Sequence, residues 1–147
     1  EQDPAVKPAH YSDIDYHNLL QLFVPPESIL HDAEGFSSTP QVVEADDYTA
    51  FVSVVSVAYD TSERYRLAYT TPALVEQFGP YRRYTLRLEK QPGTLTDFAN
   101  VQVTLPPDAT IISVSPAASA TFEIDSPILE FRVQLMTDKT IEIVYRH

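Results

Sequence analysis

The chain has 147 residues, 44% of them hydrophobic, no cysteine and a formal net charge of −11. That length suits one ordinary domain or two small ones, and a small unit alone buries only about 60% of the surface its unfolded chain exposes. The lack of cysteine excludes disulfides and thiolate sites, the acidic balance argues against nucleic acid, and no apolar run approaches the roughly 18 residues of a membrane span.

Residues 1–10, EQDPAVKPAH, open on Glu rather than Met with nothing like a signal peptide, so a processed chain or a fragment is expected. Pro4 and Pro8 without alternation make this segment an arm rather than an interior strand. LQLFVPPESIL (20–30) is a strand entering a Pro-Pro turn, and FVSVVSVAYD (51–60) is a longer strand. Tyr65, Leu67 and Tyr69 then alternate with Arg64, Arg66 and Ala68. The one helix candidate is a turn over Pro72 to Phe78, and Phe78-Gly79-Pro80 reads as a junction. Tyr84, Leu86 and Leu88 alternate with Arg83, Thr85, Arg87 and Glu89 in YRRYTLRLEKQPGT (81–94), which a Pro-Gly turn closes. VQVTLPPDATI (101–111) is again a strand with a Pro-Pro turn. Leu129, Phe131, Val133 and Leu135 alternate with Glu130, Arg132 and Gln134, and IEIVY (141–145) ends the pattern. Period two throughout, with twelve prolines as punctuation, predicts an all-β fold.

Two blocks recur in the same order. Gln21, Pro25-Pro26 and Glu27 match Gln102, Pro106-Pro107 and Asp108, 81 positions on. FVSVVSVAYD (51–60) matches LEFRVQLMTD (129–138) at an offset of 78, and YRLAY (65–69) is followed by its counterpart IEIVY. The expected organisation is an N-terminal arm (1–10) and two tandem small β-sandwich, Ig-like units, 11–78 and 80–147.

The second copy is preceded by the alternating strand from 81, whereas counting back 81 positions from it reaches the proline-bearing arm. The first unit is therefore expected to lack its first strand, leaving unpaired backbone groups and an opening onto its core. It also carries Leu19, Phe23, Val52 and Val54 where the second has Asn100, Thr104, Glu130 and Arg132. Those four apolar residues are the expected buried contact, covered by the other unit, by an upstream segment, or by a strand from a neighbouring molecule. Charge is uneven as well. Residues 1–79 hold 13 acidic and 3 basic side chains, net −10, and residues 80–147 hold 8 and 7, net −1. With Arg82, Arg83, Arg87 and Lys90 in the second half, this suggests a head-to-tail bias.

Chemistry-bearing motifs are missing. There is no G-x-S-x-G, Gly-rich phosphate loop or H-E-x-x-H, and only three glycines. His10, His17, His31 and His147 lack ligand spacing, and Ser28 and Ser62 lack triad partners. Asp13-x-Asp15, Asp32-x-Glu34 and Asp46-Asp47 read as solvated loop carboxylates rather than a calcium loop. No enzyme activity, metal or cofactor is expected.

The stretches YHNLLQLFVPPESIL, YRLAYTTP and YTLRLEKQPGT, followed by VQVTLPP, resemble the C-terminal β-rich region of an uncharacterised family of membrane-anchored bacterial surface proteins. The resemblance covers most of residues 11–115 and implies an extracellular or cell-surface location, at the end of a longer precursor. The expectation is a non-enzymatic extracellular structural protein. It self-associates by β-strand complementation as a filament subunit, its partner another copy or the upstream segment of its own precursor, with no membrane insertion by this segment. The alternatives are a binding module for cell-wall glycan or a protein partner, acting through Tyr81–Tyr84 or the loops, and an accessory β domain beside an enzyme.

Overall fold

The computed structural model describes residues 15–93, 96–123 and 125–147. Among them the chain is all-β, with twelve strands and no helix, so no helix is long and apolar enough to cross a membrane. It divides into two compact units, Glu1–Ala73 and Leu74–His147. The arm expected at 1–10 lies outside the described residues.

The first unit contains β1 (Tyr16–Val24), β2 (Ile29–Glu34), β3 (Gln41–Glu44), β4 (Thr49–Val57) and β5 (Arg66–Thr70). They form two antiparallel sheets, ordered β1-β4-β3 and β2-β5. The second contains β6 (Val75–Phe78), β7 (Tyr81–Leu88), β8 (Asp97–Thr104), β9 (Thr110–Ser115), β10 (Ala120–Glu123), β11 (Pro127–Leu135) and β12 (Lys139–Arg146). Its sheets are ordered β10-β11-β8 and β6-β7-β12-β9.

The segment expected as a helical turn is strand β6. Val75 pairs with Tyr84 and Phe78 with Tyr81, leaving a two-residue loop, Gly79-Pro80. Gly79 has φ 59°, which a primed hairpin turn requires at its first central residue and glycine supplies without steric cost. Phe78-Gly79-Pro80 is thus a hairpin turn inside the second unit, and the division between units falls before it, at Ala73 and Leu74.

Alternation decides which faces are covered. In β11, Leu129, Phe131 and Leu135 are buried; in β12, Ile141, Ile143 and Tyr145 are buried. These residues except Leu135, with Leu105 and Ala109, make one core between the two sheets of the second unit, and Tyr84, Leu86 and Leu88 of β7 pack against it. In the first unit Phe51 of β4 is fully buried, and its ring lies edge-on to Tyr69 of β5 at 5.4 Å.

The internal repeat is visible in backbone detail. After β1 and β8 the chain turns through Pro25-Pro26-Glu27-Ser28 and Pro106-Pro107-Asp108-Ala109. Glu27 has φ 63° and Asp108 φ 64°. Proline at the second position and positive φ at the third define a type II turn, closed by Ala109 N–H to Pro106 O at 3.2 Å. In the first copy the Ser28 hydroxyl donates to Pro25 O at 2.6 Å. One residue is skipped in each following strand, His31 between β2 and β5 and Ile112 between β9 and β12.

Left-handed backbone at an ordinary L-residue costs about 1–2 kcal/mol, and a branched β-carbon worsens it. Asp108→Val is expected to lower stability by about 1–2 kcal/mol, while Asp108→Gly leaves it unchanged or raised. Urea unfolding of the two variants against the parent checks this.

Candidate functional site

The two units differ at one strand position. In the second, β12 is central in its sheet, paired with β9 on one edge and β7 on the other. Its counterpart β5 pairs with β2, and no other strand pairs with it among the described residues. Register establishes the equivalence. Leu30 faces Tyr69, Ala33 faces Leu67 and Glu34 faces Arg66; in the second unit Ile111, Val114 and Ser115, 81 positions on, face Tyr145, Ile143 and Glu142, 76 positions on. Tyr65, Leu67 and Tyr69 thus correspond to Ile141, Ile143 and Tyr145.

Burial follows the pairing. Ile141 and Ile143 are 0% exposed and Tyr145 is 4% exposed. Their counterparts Tyr65 and Leu67 are only partly buried, and Tyr69 is 38% exposed. In the second unit β7 contributes to the cover, its Tyr84 and Leu86 lying opposite Ile143 and Ile141 and packing against the core that also holds Leu129 and Phe131. Among the described residues, the first unit therefore presents an apolar row beside a β-edge that no strand pairs, which is a docking position for a strand. The other end of the row is closed locally. The Tyr65 ring lies 5.0 Å from Phe36, and its hydroxyl donates to Ser56 O at 3.0 Å. Gly35, at φ 86°, lets the chain pass close to Arg64, because a Cβ there would sit 2.2 Å from the Arg64 carbonyl oxygen.

In the second unit the strand that fills this position is anchored at its end. Asp138, in the β11–β12 turn, accepts from the Lys90 backbone N–H at 2.9 Å and from the Arg87 guanidinium at 3.0 Å. Those two donors hold its carboxyl below the usual carboxylate value. Lys90 Nζ reaches Asp97 at 3.1 Å.

The expected interface residues separate into two groups. Leu19, Phe23, Val52 and Val54 lie on the outer face of the β1-β4-β3 sheet, not at the open edge of β5. Leu19 is paired with Val54, Gln21 with Val52 and Phe23 with Ala50. Leu19, Phe23 and Val54 are 52%, 55% and 63% exposed. Val43 and Tyr48 extend the same apolar face, with the Tyr48 ring edge-on to Phe23 at 5.1 Å. In the second unit the pair equivalent to Leu19 and Val54 is Asn100 and Arg132, so the fold does not demand apolar residues there.

Arg82, Arg83, Arg87 and Lys90 form no free basic patch. Arg82 contacts His147 at 2.7 Å, and Arg83 lies 3.5 Å from Glu76, 3.6 Å from Glu142 and over the Phe78 ring. Arg87 and Lys90 are held by Asp138 and Asp97 as above. Tyr81 and Tyr84 do not form one strip, since Tyr84 packs on the core while Tyr81 lies against Phe78 on the other face. Of the acidic pairs, Asp32 and Glu34 flank Arg66 at 3.9 and 2.8 Å, and Asp15 accepts from Tyr59 N–H. Asp13 and His10 lie outside the described residues, and no group of three metal-ligating side chains occurs among those described.

Tyr65, Leu67 and Tyr69 were not singled out from the sequence as a site. The signal was available in the alignment of YRLAY with IEIVY, combined with the partner that IEIVY acquires from residues 81–88. No protein-family model, curated protein or solved structure matches the chain.

If the first-unit row is uncovered in the isolated chain, equivalent truncations differ in cost. Ile143→Ala should destabilise the second unit by about 2–5 kcal/mol, whereas Leu67→Ala should cost the first unit less than about 1.5 kcal/mol; chemical denaturation of each variant measures both. A second expectation concerns acid. Because the Asp138 pKa is lowered on folding, its contribution is complete above the ordinary carboxylate value of 3.8 and is lost as pH falls through the lower folded value. Asp138→Asn should reduce stability near neutrality and flatten the acid limb, as read from thermal unfolding across the acid range.

Proposed function

We propose that this chain is a non-enzymatic structural subunit, acting outside the cell or at its surface, that assembles by β-strand complementation. The observation that carries the reading is the row formed by Tyr65, just before β5, with Leu67 and Tyr69 on it. It is left partly exposed where Ile141, Ile143 and Tyr145, on a strand flanked by β7, are buried. A strand laid along that edge would gain ladder hydrogen bonds and cover apolar surface worth roughly 25 cal/mol per Å². The strand comes from a neighbouring copy or from the upstream part of the precursor. A strand supplied by a neighbour makes a heterologous contact that need not close, so it can propagate as a filament. The surface location follows the resemblance of YHNLLQLFVPPESIL and YTLRLEKQPGT to bacterial surface proteins.

The apolar outer face around Leu19, Phe23 and Val54 favours a second reading, in which a protein partner docks on the β1-β4-β3 sheet. Two charge insertions separate the readings. In sedimentation velocity with electron micrographs of the same samples, Leu67→Glu should abolish assembly and Phe23→Asp should leave it intact. The reverse pattern would move the contact to the sheet face, and a parent chain that stays monomeric at high concentration would count against self-assembly altogether.

A further inference from the structure

Transferring the β7–β12 register onto β5 specifies what a completing strand would meet; this step rests on the strand-completion reading. In the second unit Tyr84 faces Ile143, Thr85 faces Glu142 and Leu86 faces Ile141. The corresponding positions are Leu67 and Arg66 on β5 and Tyr65 immediately before it. The first exchange keeps an aliphatic side chain, but the other two alter the slot in size and in charge.

A leucine in the place of Leu86 would face Tyr65, which is larger than isoleucine. That ring cannot move aside freely, because it lies against Phe36 and its hydroxyl is bonded to Ser56 O. Interiors are close-packed, and extra volume against a fixed ring is destabilising. The charge exchange acts on the outer face. Arg83 Nε lies 3.6 Å from the Glu142 carboxylate in the second unit. On β5 an arginine in that place would approach Arg66 instead, and like charges on neighbouring strands repel. Arg66 reaches Glu34 and Asp32, both on β2, through a single guanidinium nitrogen. Its other donors can therefore serve a carboxylate arriving from the open side.

We infer that the strand completing the first unit is not a copy of β7 but one with a carboxylate beside Arg66, where β7 carries Arg83, and a small residue opposite Tyr65. The mismatch disfavours donation of β7 from one copy to another, which would leave the donor's β12 without its own partner strand. Specificity of this kind comes from a repulsive element as much as from an attractive one.

Three labelled octapeptides test this by fluorescence anisotropy, with the purified chain at a concentration where it sediments as a monomer. They are the β7 sequence YRRYTLRL, the variant YREYTARL carrying Arg83→Glu and Leu86→Ala, and YYLARETR, which has the variant's composition without its alternation. YREYTARL should bind about tenfold more tightly than YRRYTLRL, and YYLARETR should not saturate. Arg66→Glu in the protein, with circular dichroism confirming its fold, should narrow the gap to about threefold or less. Equal or tighter binding of YRRYTLRL overturns the inference and leaves strand completion standing. So does a gap unchanged in both Arg66→Glu and Tyr65→Ile. Failure of both alternating peptides to bind, or equal binding of YYLARETR, overturns the strand-completion reading along with it.

Discussion

A β-strand has two edges, and each backbone N–H and C=O along them needs a partner in protein or water. In the second unit β12 satisfies both edges, with β9 on one side and β7 on the other, and the apolar residues behind it are sealed. β5 satisfies one edge through β2. The burial of its side chains, and the assembly we propose, depend on what occupies the other. A small unit has little core to spare, so three incompletely covered side chains are a large fraction of what could stabilise it.

The repeat makes this comparison possible within one molecule. Turn geometry at Glu27 and Asp108, skipped residues at His31 and Ile112, and ladder registers through β5 and β12 all coincide. With so much held in common, the differences stand out. The place of Asp138, which anchors the end of β7, falls in the longer β4–β5 connection of the first unit. The outer sheet face that is Asn100 and Arg132 in one unit is Leu19 and Val54 in the other. Uncovered apolar surface in the first unit is thus found in two separate places, the edge of β5 and the face of the β1-β4-β3 sheet.

Much of the fold was legible because its cause is local. Alternation in residues 81–89 and 129–135 assigned inward and outward faces correctly, since a strand's side chains have period two whatever its neighbours. The Pro-Pro-acid repeat located matching turns through the stereochemistry of proline. β6 was misread as a helical turn because VEQF has no alternation of its own; the Gly79-Pro80 loop folds it onto β7 and makes it a strand. Counting along the repeat predicts a missing first strand in a segment that lies outside the described residues, and it does not place the consequence. Which strand loses a neighbour is a matter of sheet order, and β7 pairs with β12, far along the chain, rather than with the adjacent β8. For the same reason the sequence points to the exposed residues of β1 and β4 as the contact, although they lie in a different sheet from the edge of β5 that no described strand pairs.

The most direct test of an open strand position is amide hydrogen exchange of the full chain, followed residue by residue across 65–70 and 141–146. In dilute monomer, the β5 amides that point away from β2 should exchange orders of magnitude faster than their β12 counterparts, and should become protected when the chain assembles. Equal protection of the two strands in the monomer would show that β5 already has a partner within the chain, and would contradict completion from outside.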